Sequence, residues 1–178
     1  MLLRERINKE ILPALSKKYK VPVLGLPKIT KMTINTGIGR ISENKEMVKT
    51  VERELTQISG QKPSLTKAKK SIAGFKIREG QAIGMVVTLR GAKMWDFIEK
   101  LLMVAFPRKR DFEGLDKKII DKSGGFTIGI REQLIFPEIR TDDVKDPWGM
   151  SLTYTVKNTS NKEAIEEYLK EIGFIFKS

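Results

Sequence analysis

The 178-residue sequence predicts an α+β protein: a mixed, mainly antiparallel sheet of about five strands with helices on one face, built on a ferredoxin-like or RRM-like core. Three observations predict it. Segments 28–38, 81–90 and 148–157 alternate apolar and polar residues, as half-buried strands do. Segments 2–19, 42–59, 92–106 and 161–172 repeat apolar residues at helical spacing. From Lys28 onward the order is strand, helix, strand, strand, helix, strand, strand, helix, and its first six elements follow the split β-α-β pattern. The reading is one domain over 1–178, with an N-terminal helix at 1–20, an α+β core over 28–178 and a basic loop at 69–80.

Each element has a local cause. Leu3, Ile7, Ile11, Leu12 and Leu15 mark the first helix, which Pro13 should kink or split. In 28–38, Met32, Ile34 and Ile38 point one way and Lys31, Thr33 and Asn35 the other. Ser42 is placed to cap a helix running to Ser59, with Val48, Val51, Leu55 and Ile58 on its apolar face and Gly60 at its end. A short strand follows around Ser64 to Ala68. In 81–90, Ile83, Met85, Val87 and Leu89 face inward, and Gly84, Val86, Thr88 and Arg90 outward. The helix from Ala92 to Phe106 should stop at Pro107. Strands are expected at Phe126 to Phe136 and Trp148 to Lys157, the second burying Trp148, Met150, Leu152, Tyr154 and Val156. A last helix runs from Asn161 to Ile172, with Gly173 after it.

Composition narrows the chemistry. The chain has neither cysteine nor histidine, so the usual zinc sites, Ser-His-Asp triads and Cys-His dyads cannot be built. Carboxylates are scattered among basic neighbours without a persuasive acid/base pair, and Asp142, Asp143 and Asp146 lack the spacing of an EF-hand. Gly37-Ile38-Gly39 lacks the spacing of a dinucleotide fold or a P-loop and reads as a turn. No catalytic residue, metal site or cofactor is expected. The longest apolar run, Leu101 to Phe106, is far too short to span a membrane, and the reading is a soluble cytoplasmic protein.

Net charge is +12, from 34 basic and 22 acidic side chains. An excess of this size opposes compaction and suits an anionic partner, whereas a merely solubilising surface carries both signs in near balance. The charge is also clustered. One block runs from Arg4 to Arg40 and a second from Lys62 to Arg78, separated by the slightly acidic 41–61. On the sheet face left open by the helices, the outward strand positions Thr33, Asn35, Thr88, Arg90, Thr153 and Thr155 offer hydroxyls, an amide and a cation. A solvated sheet face is the plain reading of such a pattern. With the flanking lysines, it also suits a folded RNA, with hydroxyls and amides reaching 2′-hydroxyls and base edges. The outward positions of 28–38 and 81–90 carry no aromatic, so base stacking of the RRM kind is not expected. The stretch 72–84, IAGFKIREGQAIG, reads as a basic loop with Phe75 at its tip among Lys69, Lys70, Lys76 and Arg78.

Five strings occur in order: KITKMTINTGIG (28–39), SGQKP (59–63), IAGFKIREG (72–80), PRKRDFEGL (107–115) and GIREQLIFPEI (129–139). Together they closely resemble the bacterial large-subunit ribosomal protein numbered five, and the likeness covers essentially the whole chain. The resemblance implies a place in the central protuberance. There the family attaches 5S rRNA, contacts 23S rRNA and other large-subunit proteins, and reaches a small-subunit head protein through an inter-subunit bridge. Asn35, Gln61 and Thr88 stand where the family contacts 5S rRNA, and the loop from Ile72 to Arg78 where it contacts P-site tRNA. Three positions depart from the family: Trp148 replaces a basic residue, Phe126 a tyrosine, and Glu113 softens a basic cluster.

The candidate rRNA-binding set is therefore Lys28, Lys31, Thr33, Asn35, Gln61, Lys62, Ser64, Thr66, Lys67, Thr88 and Arg90. The candidate tRNA-binding set is Lys69, Lys70, Ser71, Ile72, Ala73, Gly74, Phe75, Lys76 and Arg78. The alternative is a free-standing basic regulator of duplex nucleic acid; binding to purified 5S rRNA separates the two.

Overall fold

Residues 3–19 form one helical run, α1, which is α-helical at Leu3–Arg6, π-helical at Ile7–Ile11 and α-helical again at Leu12–Tyr19. Pro13 has no N–H and crowds the carbonyl four residues back, so a regular turn cannot pass through it. The widened π turn absorbs the misfit: the Leu12 N–H bonds to Ile7 O, five residues back. The remaining elements are β1 (Lys28–Gly37), α2 (Lys45–Ser59), β2 (Ser64–Lys67), β3 (Ala82–Leu89), α3 (residues 91–108), β4 (Phe126–Ile130), β5 (Met150–Lys157) and α4 (Lys162–Ile172). This computed structural model describes residues 3–75, 77–109, 112–121, 123–140, 146–158 and 161–177.

The strands form one sheet in the order β2-β3-β1-β5-β4, and the fold is α+β. The expected core is corrected in one respect: β5, not β4, lies beside β1. The fifth strand takes the place that the split β-α-β pattern gives its last strand, and β4 is added at the edge. Strand β2 pairs antiparallel with β3, Thr66 opposite Gly84 and Ser64 opposite Val86, with an irregularity between Thr66 and Lys67.

The chain forms two compact units. The first takes the described residues within 1–32, 90–128 and 153–178. Its core contains Ile7, Leu15, Met32, Ile98, Leu101 and Leu169. There Phe126 lies flat on Tyr154, centroids 4.4 Å apart, and Phe174 meets both edge-on at 5.4 and 5.7 Å. Asn158, at φ +59°, donates through Nδ2 to Leu24 O (2.6 Å) and Leu26 O (3.1 Å), fixing the 3₁₀ turn Val23–Gly25. The second unit takes the described residues within 33–89 and 129–152. Ile34, Ile38, Leu55, Ile58, Met85, Val87, Phe136 and Leu152 form its core.

Three further expectations need correction. Ser42 does not cap α2; its hydroxyl donates to Gly39 O, and Asn44 is the cap, accepting from the Glu46 and Met47 N–H groups. Helix α3 does not stop at Pro107. It is α-helical over Gly91–Lys100, π-helical over Leu101–Ala105 and α-helical over Phe106–Arg108, so Pro107 falls in the first turn of a fresh segment, where its missing N–H costs little. The strand expected over 126–136 ends at Ile130, because Gln133–Ile135 turns as a 3₁₀ helix whose first N–H donates to Trp148 O.

Candidate nucleic-acid interface

In the second unit, the pleat sorts side chains to two faces. Ile34 and Thr36 in β1 and Met85, Val87 and Leu89 in β3 are buried, which turns Thr33, Asn35, Gly84, Val86 and Thr88 the other way. Residues paired across strands share a face, so Thr66 joins Gly84 and Ser64 joins Val86. The result is a polar surface of Thr33, Asn35, Ser64, Thr66 and Thr88 around a position without a side chain. A Cβ on Gly84 would lie 2.6 Å from Thr66 Oγ1, 3.2 Å from Thr36 O and 3.9 Å from Asn35 Oδ1. Glycine here lets the Thr66 hydroxyl close over the strand beside the Asn35 amide, so Gly84 itself is buried.

The surface is held from its neighbours. Thr36 Oγ1 donates to Gly149 O (2.7 Å), and Ser151 Oγ donates to Asn35 O (3.3 Å). Gly60, at φ +65°, ends α2 and leads into Gln61, whose Nε2 donates to Thr88 O at 3.4 Å. Ser59 Oγ donates toward Leu55 O and Gln61 O at 2.7 and 2.9 Å, bracing this corner. Lys62 is 80% exposed and 3.5 Å from Glu52, a surface pair that leaves its charge in solvent. All of β2 is exposed, Lys67 included.

Beyond β2 the chain makes the loop. Ile72 and Ile77 bridge through hydrogen bonds of 2.9 and 3.2 Å, and Ala73–Phe75 forms a 3₁₀ turn between them. Lys69, Lys70, Ser71, Ile72, Ala73, Gly74 and Arg78 are all exposed. Lys76 lies outside the described residues, as do Asp142 and Asp143.

The structure thus brings Thr33, Asn35, Gln61, Ser64, Thr66 and Thr88 onto or beside one polar surface, with Lys62 and Lys67 exposed in the same unit. Lys28, Lys31 and Arg90 belong to the first unit. There Lys28 and Arg90 are exposed, Lys31 is half-buried, and Arg90 lies just past β3 as the residue preceding α3. Thr153 and Thr155 belong to it too; Thr153 pairs its hydroxyl with that of Thr127 at 3.0 Å, and Thr155 O accepts from Thr30 Oγ1 at 3.2 Å.

Residues 23–78 match the family model described as Ribosomal protein L5, and residues 82–176 match the model of the same ribosomal family's C-terminus. The chain belongs to the ribosomal L5 family. Membership makes it a structural, rRNA-binding protein of the large ribosomal subunit rather than an enzyme. Among the described residues, no helix is long and apolar enough to cross a membrane.

Two residues escape sequence reading, one within the polar surface and one outside it at the base of the loop. Gly84 is one, since its role depends on Thr66 across the strand pair. Gln81 is the other, with Oε1 accepting from the Arg78 N–H (3.0 Å) and Nε2 donating to Ser42 Oγ (2.8 Å).

Proposed function

We propose that this L5 protein binds 5S rRNA through the polar surface centred on Asn35, Thr66 and Thr88. In doing so it helps attach that RNA to the central protuberance of the large subunit. The carrying observation is the clustering of the Thr66 hydroxyl and the Asn35 amide over Gly84, on the face shared with Thr88, in the unit that also exposes Lys62 and Lys67. Such groups suit 2′-hydroxyls and base edges, while lysines engage phosphates without reading sequence. Lys28, Lys31 and Arg90 add phosphate contacts to 5S or 23S rRNA. The loop 69–80 reaches P-site tRNA, and other surfaces meet large-subunit proteins and a small-subunit head protein.

Titration of the protein against purified 5S rRNA and against an unrelated structured RNA, at matched salt, tests the reading. Tighter binding to 5S rRNA is expected; equal affinity for the two would overturn it.

A further inference from the structure

We infer that Gln81 is a positioning residue: it latches the base of the loop 69–80 to the turn between β1 and α2, so that the loop meets RNA already shaped. The inference rests on the proposed role of that loop in touching tRNA.

The Gln81 side chain uses both ends of its amide on different segments. Its oxygen accepts from the Arg78 N–H at 3.0 Å, within the loop. Its nitrogen donates to Ser42 Oγ at 2.8 Å, and Ser42 in turn donates to Gly39 O at 2.9 Å. The backbone of the same residue closes the loop's stem. The Gln81 N–H donates to Arg78 O (3.1 Å), Gln81 O accepts from Ala68 N–H (2.8 Å), and the Gly80 N–H donates to Ala68 O (2.9 Å). Gly80 sits at φ +81°, which permits this return. Higher up, the Glu79 N–H donates to Ser71 Oγ at 2.9 Å.

Such a latch suits the loop, because Lys69 to Gly74 are all exposed and contribute no buried side chain. Order in an exposed loop costs conformational entropy, and a loop ordered beforehand removes that cost from binding. The glutamine amide accepts at its oxygen and donates at its nitrogen, so one side chain makes both contacts. Gln81 also lies between the two matched segments, 23–78 and 82–176, so neither family model covers it.

Two variants of the full chain test the latch. Gln81→Met keeps the length of the side chain and removes both hydrogen bonds. Gln81→Glu keeps the acceptor for Arg78 and removes the donor to Ser42. Amide hydrogen exchange at Arg78 is expected to rise on the order of tenfold in Gln81→Met and less in Gln81→Glu. Affinity for tRNA should fall roughly threefold to tenfold in Gln81→Met, with 5S rRNA binding held at the parent value. Ser42→Ala added to Gln81→Met should cause no further loss of tRNA affinity, since its bond to Gln81 is already gone and its remaining bond, to Gly39 O, does not reach the loop. Unchanged exchange at Arg78 would overturn the latch. Faster exchange with unaltered tRNA affinity would overturn the preformed loop, given that deleting Ser71 to Lys76 abolishes that binding. If the deletion leaves tRNA binding intact, the loop's proposed role fails instead, and exchange at Arg78 still decides the latch.

Discussion

The indole N–H of Trp148 donates to Glu54 Oε2 at 2.7 Å, on a glutamate only 5% exposed. Gln133, fully buried, adds a second donor to the same oxygen at 3.3 Å, and its own Oε1 accepts the Trp148 backbone N–H at 2.8 Å. One carboxylate on α2 thereby pins the turn after β4 and the approach to β5. Trp148 supplies a neutral donor to a buried carboxyl group.

Glu54→Ala removes the acceptor and leaves two donors unmatched, the buried Gln133 amide and the half-buried Trp148 indole. The expected cost is about 1–3 kcal/mol, read as a lower denaturant midpoint at unchanged slope. Glu54→Gln keeps an oxygen in place and is expected to recover most of it. Equal loss in both variants would show that charge, and not hydrogen bonding, holds the segment.

Glu167 receives Lys18 Nζ at 2.6 Å and the Tyr19 hydroxyl at 2.7 Å. These donors hold its carboxyl below the ordinary value of 4.5, so the folded state binds that proton less readily than the unfolded chain. Its stabilisation is complete above 4.5 and is lost as pH falls through the lower folded value. Glu167→Gln should therefore lower stability at neutral pH by about 0.5–1 kcal/mol, with the gap to the parent closing in acid. The same hydrogen bond pushes Tyr19 up to about 12, from 10.0. The Tyr19 contribution is present below 10.0 and is lost as pH rises through about 12. Tyrosinate absorbance should show its midpoint falling toward 10.0 in Glu167→Gln; an unmoved midpoint would sink the pairing.

Asn35 is exposed and its side chain carries none of the core, so Asn35→Ala should weaken 5S rRNA binding while the thermal midpoint stays put. A large drop in stability would mean that the amide is structural. The affinity itself should fall steeply with salt. Six to ten phosphate contacts imply a loss on the order of 10³ to 10⁵ between roughly 50 and 200 mM salt. A nearly flat titration would argue against phosphate contacts from the lysines.

Gly84→Ala places a methyl group 2.6 Å from Thr66 Oγ1. The expected cost is about 1–3 kcal/mol, with 5S rRNA binding impaired as the Thr66 hydroxyl is pushed from its place on the polar surface. Pairing it with Thr66→Ala removes the obstructing hydroxyl. The two changes should combine to much less than the sum of their separate costs in stability. Simple additivity would place the clash elsewhere, on Thr36 O.

Much of the fold was legible where burial is local. Period-two alternation identified β1, β3 and most of β5, and the apolar sets of α2 and α4 followed helical spacing with Gly60 and Gly173 at their ends. Reading failed where two local signals compete. Ser42 and Asn44 are both good caps, and the choice between them is made by the 3₁₀ turn Gly39–Ile41 and by Gln81, which occupies the Ser42 hydroxyl. The apolar residues past Ile130 continue a strand-like pattern, yet Gln133 is buried by its bonds to Glu54 and Trp148, 79 and 15 positions away in sequence. The polar surface followed from strand phase alone. Gly84 and Gln81 stayed hidden because their partners, Thr66 and Ser42, are fixed by pairing across strands and turns.

The π turns in α1 and α3 also settle a question of phase. In α1 the buried residues Leu3, Ile7, Ile11 and Leu15 stand four apart, and at 3.6 residues per turn each such step overshoots by about 40°. Three steps of an unbroken α-helix would swing Leu15 about 120° away from Leu3, a third of the way around the axis. The slower rotation of Ile7–Ile11 takes part of that angle back, and Leu101–Ala105 does the same between Phe97 and Ala105. Removing a single residue from either turn would thus act as a rotation of everything downstream. Side chains that now face the core would be carried toward water without any one of them being changed.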